Sequence, residues 1–265
     1  MAEEHWQIQI FKRSIKKKDK LKLLEKGLKI NTKDTILDLG CAQGILSHFL
    51  RQKGGFWVSV DQDFANMQTA KSLLEKNLLQ IGPGILPFKS ESFDKVVCLD
   101  YLEHIEDDDL CLQEIHRVLK KGGQLILSTP HTGKFLMLHR LRSLLGMKLE
   151  FFGHKREGYN LKELKPKLEN AQLQLENHRT FSRFFSEFIE LIINFLYIKF
   201  YSKKGPGKLR DGHIKPASSE EFQSKNKTFK FYSFVYPVVW FFSRLDKLLF
   251  FHKGYSLLAW AKKSD

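Results

Sequence analysis

Short apolar runs alternate with amphipathic segments through the first half of the chain. Each run is five to seven residues long and is followed by a stretch in which apolar residues recur at helical spacing. The strands predicted from these runs are Thr35–Leu39, Phe56–Val60, Phe93–Leu99 and Gln124–Ser128, and the intervening helices are Ile45–Gln52, Phe64–Lys76 and Leu110–Leu119. Strands that alternate with helices form βαβ units, so the pattern predicts an α/β fold with a mostly parallel sheet.

The flanking segments add further elements. Residues 5–28 predict one basic helix that ends near Gly27, and Gly122-Gly123 predicts a turn before the fourth strand. Later in the chain, a helix is predicted over residues 161–170, a strand over Leu173–Phe181 and a terminal strand over Tyr255–Lys262.

Between the last two predicted strands the amino-acid composition changes. Residues 181–251 hold 14 of the 23 phenylalanines, in two apolar stretches that a Lys- and Gly-rich connection containing Lys203–Gly207 separates. Charged residues, such as Glu187 in the first stretch and Arg244 in the second, interrupt both before the roughly 20 apolar residues that spanning requires. We expect an aromatic-rich helical insertion that lies in a bilayer interface, caps the site, or does both.

These patterns divide the chain into four parts. We predict an N-terminal basic helix over 1–30, the core over 31–181, the aromatic-rich insertion over 182–253, and a final core strand over 254–265.

Composition and charge narrow the setting. The formal net charge of +14 is concentrated in residues 1–33 and 201–231, which favours anionic partners such as nucleic acid or an acidic membrane surface. Three cysteines without framework spacing and the absence of a secretory pattern at the start predict a cytoplasmic protein. No Cys or His pair has metal-ligand spacing, so no structural metal is expected.

The candidate chemistry lies where the first two strands end. The run Asp38-Leu-Gly-Cys-Ala-Gln-Gly44 follows the first strand, and its two glycines allow a tight turn and close approach of a ligand to the backbone. Asp61 ends the second strand, 21 residues after Gly40, where a carboxylate can accept hydrogen bonds from ribose hydroxyls. Ligands of open parallel sheets bind at this edge.

The same arrangement occurs in dinucleotide-binding folds, but three details argue against one. The glycine spacing is Gly-x-x-x-Gly rather than Gly-x-Gly-x-x-Gly, and Asp38 would repel a pyrophosphate while attracting a cationic amino group. A second block, Leu86-Pro-Phe88 followed by Ser92-Phe-Asp94, has no role in hydride transfer.

Five blocks, in order, carry a resemblance to a known family. Residues 36–44 resemble motif I of class I S-adenosylmethionine-dependent methyltransferases. Leu86-Pro-Phe88, the block that starts at Ser92, Leu102-Glu-His-Ile105 and residues 119–130 resemble the later blocks of the type 11 group, which includes ubiquinone- and menaquinone-pathway enzymes. The resemblance covers roughly residues 30–181 and implies a Rossmann-like, doubly wound, seven-stranded sheet.

The resemblance also implies a set of S-adenosylmethionine contacts. Asp38, Gly40 and Gly44 would surround the methionine end, and Asp61 would contact the ribose. The segment Gly84, Ile85 and Leu86 would lie by the adenine, with Asp100 and Tyr101 at the next strand end. Cys41, Ala42 and Gln62 complete the predicted cofactor-binding residues. Two positions depart from the family pattern. Ala42 replaces its middle glycine, and Gly82-Pro83 stands where an acidic residue is frequent, so the adenine contacts are expected from backbone groups.

The acceptor side gives weaker signals. His104 and His131 are candidate general bases, and His154 and Tyr159 are secondary candidates on a substrate-side loop. We expect the protein to methylate an oxygen atom of a small hydrophobic or lipid-linked acceptor. An RNA methyltransferase and a non-catalytic cofactor-binding protein remain as alternatives. The strand end Leu99-Asp-Tyr-Leu102 lacks the Asn/Asp-Pro-Pro-Tyr sequence used on exocyclic base amines, which disfavours RNA.

Overall fold

The computed structural model describes residues 4–133, 136–147, 149–201, 209–210, 213–214 and 218–264. The Lys203–Gly207 connection lies outside these residues. The chain divides into two compact units. The core unit comprises Leu21–Thr132, Lys155–Thr180 and Ser256–Asp265, and the second unit comprises Met1–Lys20, Gly133–His154 and Phe181–Tyr255.

A seven-stranded sheet organises the core unit. The strands of the chain are β1 Thr35–Leu39, β2 Phe56–Asp61, β3 Leu78–Gln80, β4 Phe93–Leu99, β5 Leu119–Pro130, β6 Leu173–Phe181, β7 Leu209–Arg210, β8 His213–Ile214 and β9 Ser256–Lys263. The order in the large sheet is β3-β2-β1-β4-β5-β9-β6, while β7 and β8 form a separate antiparallel pair. Strands β1 to β5 pair in parallel, and β9 lies antiparallel to β5. The predicted mostly parallel, doubly wound sheet is confirmed.

Helices connect these strands and make up much of the second unit. They are α1 Trp6–Lys12, α2 Ile15–Gly27, α3 Ile45–Arg51, α4 Phe64–Leu74, α5 Asp108–Val118, α6 Met137–Leu144, α7 Leu161–Asn170, α8 Phe184–Tyr201, α9 Ser219–Ser224 and α10 Asn226–Arg244. Short 3₁₀ turns occur at Leu102–His104, Leu149–Phe152 and Leu245–Leu248.

Two predictions about local structure were wrong. The single helix predicted over residues 5–28 is two helices, because the chain leaves helical geometry at Arg13, whose N–H bonds to Ile10 O at 3.0 Å. The glycines of the predicted Gly122-Gly123 turn instead lie within β5, at an irregularity where Phe93 pairs with Leu119 but Lys95 pairs with Gln124. The extra residues form a bulge, and Gly122 absorbs it with φ +69°.

The amino ends of β1 and β4 are tied together by Asp94. Its Oδ2 accepts hydrogen bonds from the N–H and hydroxyl of Thr35, both at 2.8 Å, and from Lys120 Nζ at 2.8 Å. Bonds from these donors and the charge of Lys120 outweigh partial burial and lower the pKa of Asp94 to about 2. Asp94 therefore orients a strand at the edge opposite the candidate site.

The second unit has its own apolar cluster, in which Leu136, Leu138, Met147, Leu191 and Tyr255 pack together.

Among the described residues, no helix is both long and apolar enough to cross a membrane.

Glu187, on α8, lies fully buried in the second unit. It accepts hydrogen bonds from Ser182 Oγ at 2.9 Å and from Lys16 Nζ at 3.2 Å, and it pairs with Arg142. Although burial raises its pKa, the two cations and the serine lower it more strongly, and the net result is a pKa of about 2. The interaction joins α2, α6 and α8 through one charge.

Replacing Glu187 by glutamine should lower the free energy of unfolding at pH 7 by roughly 1.5–3 kcal/mol, because Lys16 and Arg142, whose side chains are 27% and 22% exposed, would lose their hydrogen bonds to a buried carboxylate. The depressed folded-state pKa also predicts a pH dependence. The stabilisation is present above the ordinary glutamate value of 4.5 and is lost as the pH falls toward about 2. Urea unfolding at pH 7 and at acid pH should therefore show a smaller pH-dependent loss in Glu187→Gln than in the parent. The surface variant Glu25→Gln is the control, and equal losses in all three proteins would contradict this account.

Candidate active site

The turn after β1 is built from residues with left-handed backbone. Gly40, Ala42 and Gly44 have φ values of +76°, +47° and +79°. The N–H groups of Gly40 and Cys41 both donate to Val60 O, at 2.9 and 3.0 Å, which anchors the turn to β2. Glycine meets this geometry without strain, whereas Ala42 requires compensation.

Asp61, at the end of β2, supplies that compensation. Its Oδ2 accepts a hydrogen bond from Ala42 N at 2.8 Å, and its Oδ1 accepts one from Asp63 N at 2.9 Å. Asp61 is buried, yet its charge is met by these backbone donors. The sequence predicted its place at the strand end but not its bond to the turn.

Asp38 occupies a different environment, within β1. Its Oδ2 accepts hydrogen bonds from Ser47 Oγ at 2.5 Å and from Ser59 Oγ at 2.7 Å. Burial raises the pKa of Asp38 despite these two bonds. The two carboxylates of the predicted pair therefore differ: Asp61 braces the backbone, while Asp38 lies among serine hydroxyls.

Tyr101 follows β4 and covers the first glycine of the turn. A Cβ added to Gly40 would lie 2.3 Å from the Tyr101 ring, so only glycine fits beneath it. The Tyr101 hydroxyl accepts a hydrogen bond from Gln62 Nε2 at 2.7 Å, which links the ends of β2 and β4. The preceding Asp100 has φ +50°, and its Oδ1 accepts a bond from Ser128 Oγ at 2.9 Å.

A cavity of about 360 Å³ opens at this edge of the core unit. Its volume is within the range of roughly 300–1,000 Å³ that is typical of small-molecule sites. The lining residues are Leu39, Gln62, Ile81, Gly82, Pro83, Gly84, Leu86, Tyr101, His104, Ile105, Glu106, Asp107, Leu110, Cys111, Glu114 and Lys155. Four of the predicted cofactor residues, Gln62, Gly84, Leu86 and Tyr101, and the candidate base His104 are among them.

The other residues predicted to bind the cofactor do not line this cavity. Asp38, Gly40, Ala42, Gly44, Asp61 and Asp100 form the strand ends and the turn described above. Cys41 is buried beside Met67, and burial raises the pKa of its thiol, which keeps it neutral. Ile85 is exposed at the tip of the loop before Leu86.

Of the candidate acceptor-side residues, His104 alone lines the cavity. His131 is buried and forms an isolated bridge with Tyr159, whose hydroxyl donates to Asp108 Oδ2 at 2.5 Å. This contact and burial raise the pKa of Tyr159, consistent with a structural hydroxyl. His154 belongs to the second unit.

Residues of α5 hold the loop that the resemblance assigns to adenine. Glu114 Oε2 accepts a hydrogen bond from Leu86 N at 2.7 Å. Arg117 pairs with Glu114 and donates to Leu86 O at 2.9 Å and to Phe88 O at 2.7 Å. Glu114 and Arg117 are not among the residues predicted from the sequence, so the clamp was missed. Its one sequence signal is their place on the helix after β4.

These features fit S-adenosylmethionine. Gly82 and Gly84 have open space where a Cβ would stand, so a ligand can approach their backbone closely. Asp61 and Gln62 place oxygen acceptors at the β2 end, where ribose hydroxyls are expected. The backbone of residues 82–86 lines the cavity and can supply the adenine contacts that an acidic side chain supplies elsewhere in the family.

Asp61→Asn should weaken binding of S-adenosylhomocysteine about 10- to 100-fold, because hydrogen bonds to a charged group contribute roughly 1.5–3 kcal/mol. Isothermal titration calorimetry gives the dissociation constant. Asp94→Asn is the matched control, since it removes a strand-end carboxylate from the opposite edge and should leave affinity within about twofold. Equal weakening in both variants would show that the loss reflects stability and not the site.

Glu114→Ala should release the loop at Leu86 and raise the dissociation constant of S-adenosylhomocysteine about fivefold or more, the effect of losing roughly 1 kcal/mol of hydrogen bonding. Glu114→Gln retains an acceptor for Leu86 N–H and should recover part of the affinity. Glu169→Ala, which removes an exposed partner of Lys165, is the control. Unchanged affinity in Glu114→Ala would contradict the clamp.

Solved structures share this fold at low sequence identity. The chain is similar to an S-adenosylmethionine-dependent methyltransferase from Methanosarcina mazei, with 17% identity and a TM-score of 0.53 over 89% of this chain and 94% of that one. It is also similar to phosphoethanolamine N-methyltransferase 2 of Haemonchus contortus in complex with S-adenosyl-L-methionine. There the identity is 17% and the TM-score 0.55, over 94% of this chain and 53% of that one.

Curated relatives match part of the chain. The ubiquinone biosynthesis O-methyltransferase of Pelagibacter ubique is 33% identical over 127 residues, which are 46% of this chain and 51% of that protein. The protein with the same name from Pseudomonas paraeruginosa is 32% identical over 108 residues, or 36% and 44% of the two chains. The chain thus spans about half the length of the relatives it matches.

The family comparison covers the strands and turns that form the site. Residues 37–127 match the family described as methyltransferase domain, from β1 through β5. They contain the Gly40–Gly44 turn, Asp61, the clamped loop and Tyr101. The chain therefore contains a methyltransferase domain, over residues 37–127.

Proposed function

We propose that this protein transfers a methyl group from S-adenosylmethionine to an oxygen of a small hydrophobic or lipid-linked acceptor. The main support for this proposal is that one cavity is lined both by residues assigned to the cofactor, such as Gln62 and Tyr101, and by a candidate base, His104. The shared name of the curated relatives, ubiquinone biosynthesis O-methyltransferase, supports oxygen as the acceptor atom.

The chain's own residues would chiefly orient the reactants. Bound S-adenosylmethionine supplies an activated methyl group on a sulfonium sulfur. Asp61, Gln62 and the backbone of residues 82–86 would fix the position of the donor, and Tyr101 would close the turn over Gly40. Orientation of this kind accounts for a large part of the rate enhancement in two-substrate reactions.

His104 would serve the acceptor. With S-adenosylmethionine bound, an imidazole nitrogen of His104 would accept the acceptor's hydroxyl proton as the acceptor oxygen takes the methyl group from the sulfonium sulfur. The products are the methylated acceptor and S-adenosylhomocysteine. Ile105 and Leu110 make part of the cavity wall apolar, which supports a hydrophobic acceptor.

The setting that we propose is the cytoplasmic face of an anionic membrane, to which the protein would bind peripherally. The net charge of +14 and the aromatic-rich segment over 181–251 support this setting. At a membrane surface the protein would meet acceptors that carry a lipid chain.

Incubation of the purified protein and methyl-labelled S-adenosylmethionine with fractionated cell extract tests this function. We expect label in the organic phase. His104→Asn should lower incorporation roughly 10²- to 10⁴-fold, the contribution typical of a general base, while retaining S-adenosylhomocysteine binding. His178→Asn, at an exposed position on β6, is the matched control. Label in RNA would replace this proposal with an RNA methyltransferase, and cofactor binding without any incorporation would favour a non-catalytic protein.

A further inference from the structure

One side of α10 presents large apolar side chains to solvent. Phe231, Phe234, Val238, Phe241 and Phe242 are 50–82% exposed. Their spacing of 3, 7, 10 and 11 residues from the first places them within an arc of roughly 100° on an α-helix. We call these five residues the outer face of α10.

The other side of α10 holds the helix in the second unit. The Tyr232 hydroxyl donates to Arg13 O at 3.0 Å, and Lys18 Nζ donates to the Tyr236 hydroxyl at 3.1 Å. Arg244 pairs with Asp19 at 3.3 Å. These contacts fix the rotation of the helix about its axis, so the exposure of the outer face is built into the packing.

Three more exposed apolar residues follow α10 in the sequence. Leu248, Phe250 and Phe251 are 68–80% exposed. Monomeric proteins expose single apolar residues routinely, but these eight large apolar side chains, all exposed between residues 231 and 251, are typical of an interaction surface.

The exposed charged residues of α10 and of the segment that follows it are all basic. Lys227 and Lys230 are exposed at the start of α10, and Lys247 and Lys253 are exposed beyond its end. The one acidic residue between 225 and 253 is Asp246, which is buried and accepts hydrogen bonds from the N–H groups of Arg183 and Phe185. Lysines therefore flank the outer face at both ends.

This combination favours a lipid surface over a protein partner. Lysine is depleted in protein–protein interfaces, whereas helices that lie in a membrane interface combine bulky apolar residues with lysines that reach anionic headgroups. No helix among the described residues is long and apolar enough to span a bilayer, which is consistent with an in-plane arrangement.

We propose that the outer face of α10, together with Leu248, Phe250 and Phe251, inserts in the plane of an anionic bilayer at the level of its headgroups. The flanking lysines contact the lipid phosphates. This inference deepens the proposed function by assigning the surface that meets the membrane, and its test is independent of methyl transfer.

Flotation of the full-length protein with vesicles of 30% phosphatidylglycerol in phosphatidylcholine, at roughly 0.1 M salt, tests the surface. Phe234→Ser/Phe241→Ser should lower the vesicle partition coefficient at least 10-fold, because two exposed rings leave the bilayer. Phe56→Ser/Phe64→Ser is the matched control, since each of its rings is 55% exposed in the core unit, and it should bind as the parent does. Melting temperature and S-adenosylhomocysteine affinity should be unchanged in the α10 variant.

A charge variant tests the lipid class. Lys227→Glu/Lys230→Glu should lower binding to anionic vesicles several-fold, and high salt should reduce the difference between variant and parent. Absence of parent binding at low salt, or equal loss in both phenylalanine variants, would overturn the proposal. A dimer in solution that dissociates in Phe234→Ser/Phe241→Ser would also overturn it, by assigning the face to a second copy of the chain. None of these three results bears on methyl transfer, which the labelling experiment tests separately.

Discussion

The hydrogen bond from Ala42 N–H to Asp61 is the contact on which the candidate site depends. A left-handed backbone costs a non-glycine residue about 1–2 kcal/mol, while a hydrogen bond to a charged group contributes about 1.5–3 kcal/mol. The Asp61 bond, at 2.8 Å, therefore offsets the strain of Ala42 at φ +47°. This balance explains how alanine stands where the family has glycine. Because the turn is held to β2, Gly40 remains beneath Tyr101, and the ends of β2 and β4 keep their spacing across β1.

The two carboxylates at this edge look equivalent in the sequence, and both are buried, but they have different hydrogen-bond partners. Asp38 and Asp61 both occur in strands next to the glycine turn. Asp61 meets backbone N–H groups, whereas Asp38 accepts hydrogen bonds from Ser47 and Ser59, nine and 21 residues further along the chain. Burial raises the pKa of Asp38 by more than these two hydroxyls and the charge of Arg51 lower it, and the nearby Asp61 raises it further. By contrast, Glu187 in the second unit meets two cations and its pKa falls.

The sequence predicted the parts of the fold that depend on local pattern. The buried strands β1, β2 and β4 were found within one residue, because a central parallel strand is apolar on both faces. The three-residue strand β3 was missed because it lies at the sheet edge, where Leu79 and Gln80 are exposed. The clamp from Glu114 and Arg117 was missed for another reason: its partners, Leu86 and Phe88, are about 30 residues away, and side-chain–backbone bonds at that distance leave no periodic signal.

The same limit applies to α10, where composition predicted an aromatic helix but not the direction of its rings. Tyrosine has a hydroxyl that suits contact with water, and phenylalanine has none. In α10 the arrangement is reversed: the hydroxyls of Tyr232 and Tyr236 bond within the unit, while four phenylalanines face outward. Full burial of one phenylalanine is worth about 1.5–3 kcal/mol, so the four forgo several kcal/mol, a large part of the roughly 5–15 kcal/mol that stabilises a typical domain. That loss exists only in water. In an apolar phase the outward rings become the stabilising side of the helix, and the bonded tyrosines keep α10 turned so that the rings reach it.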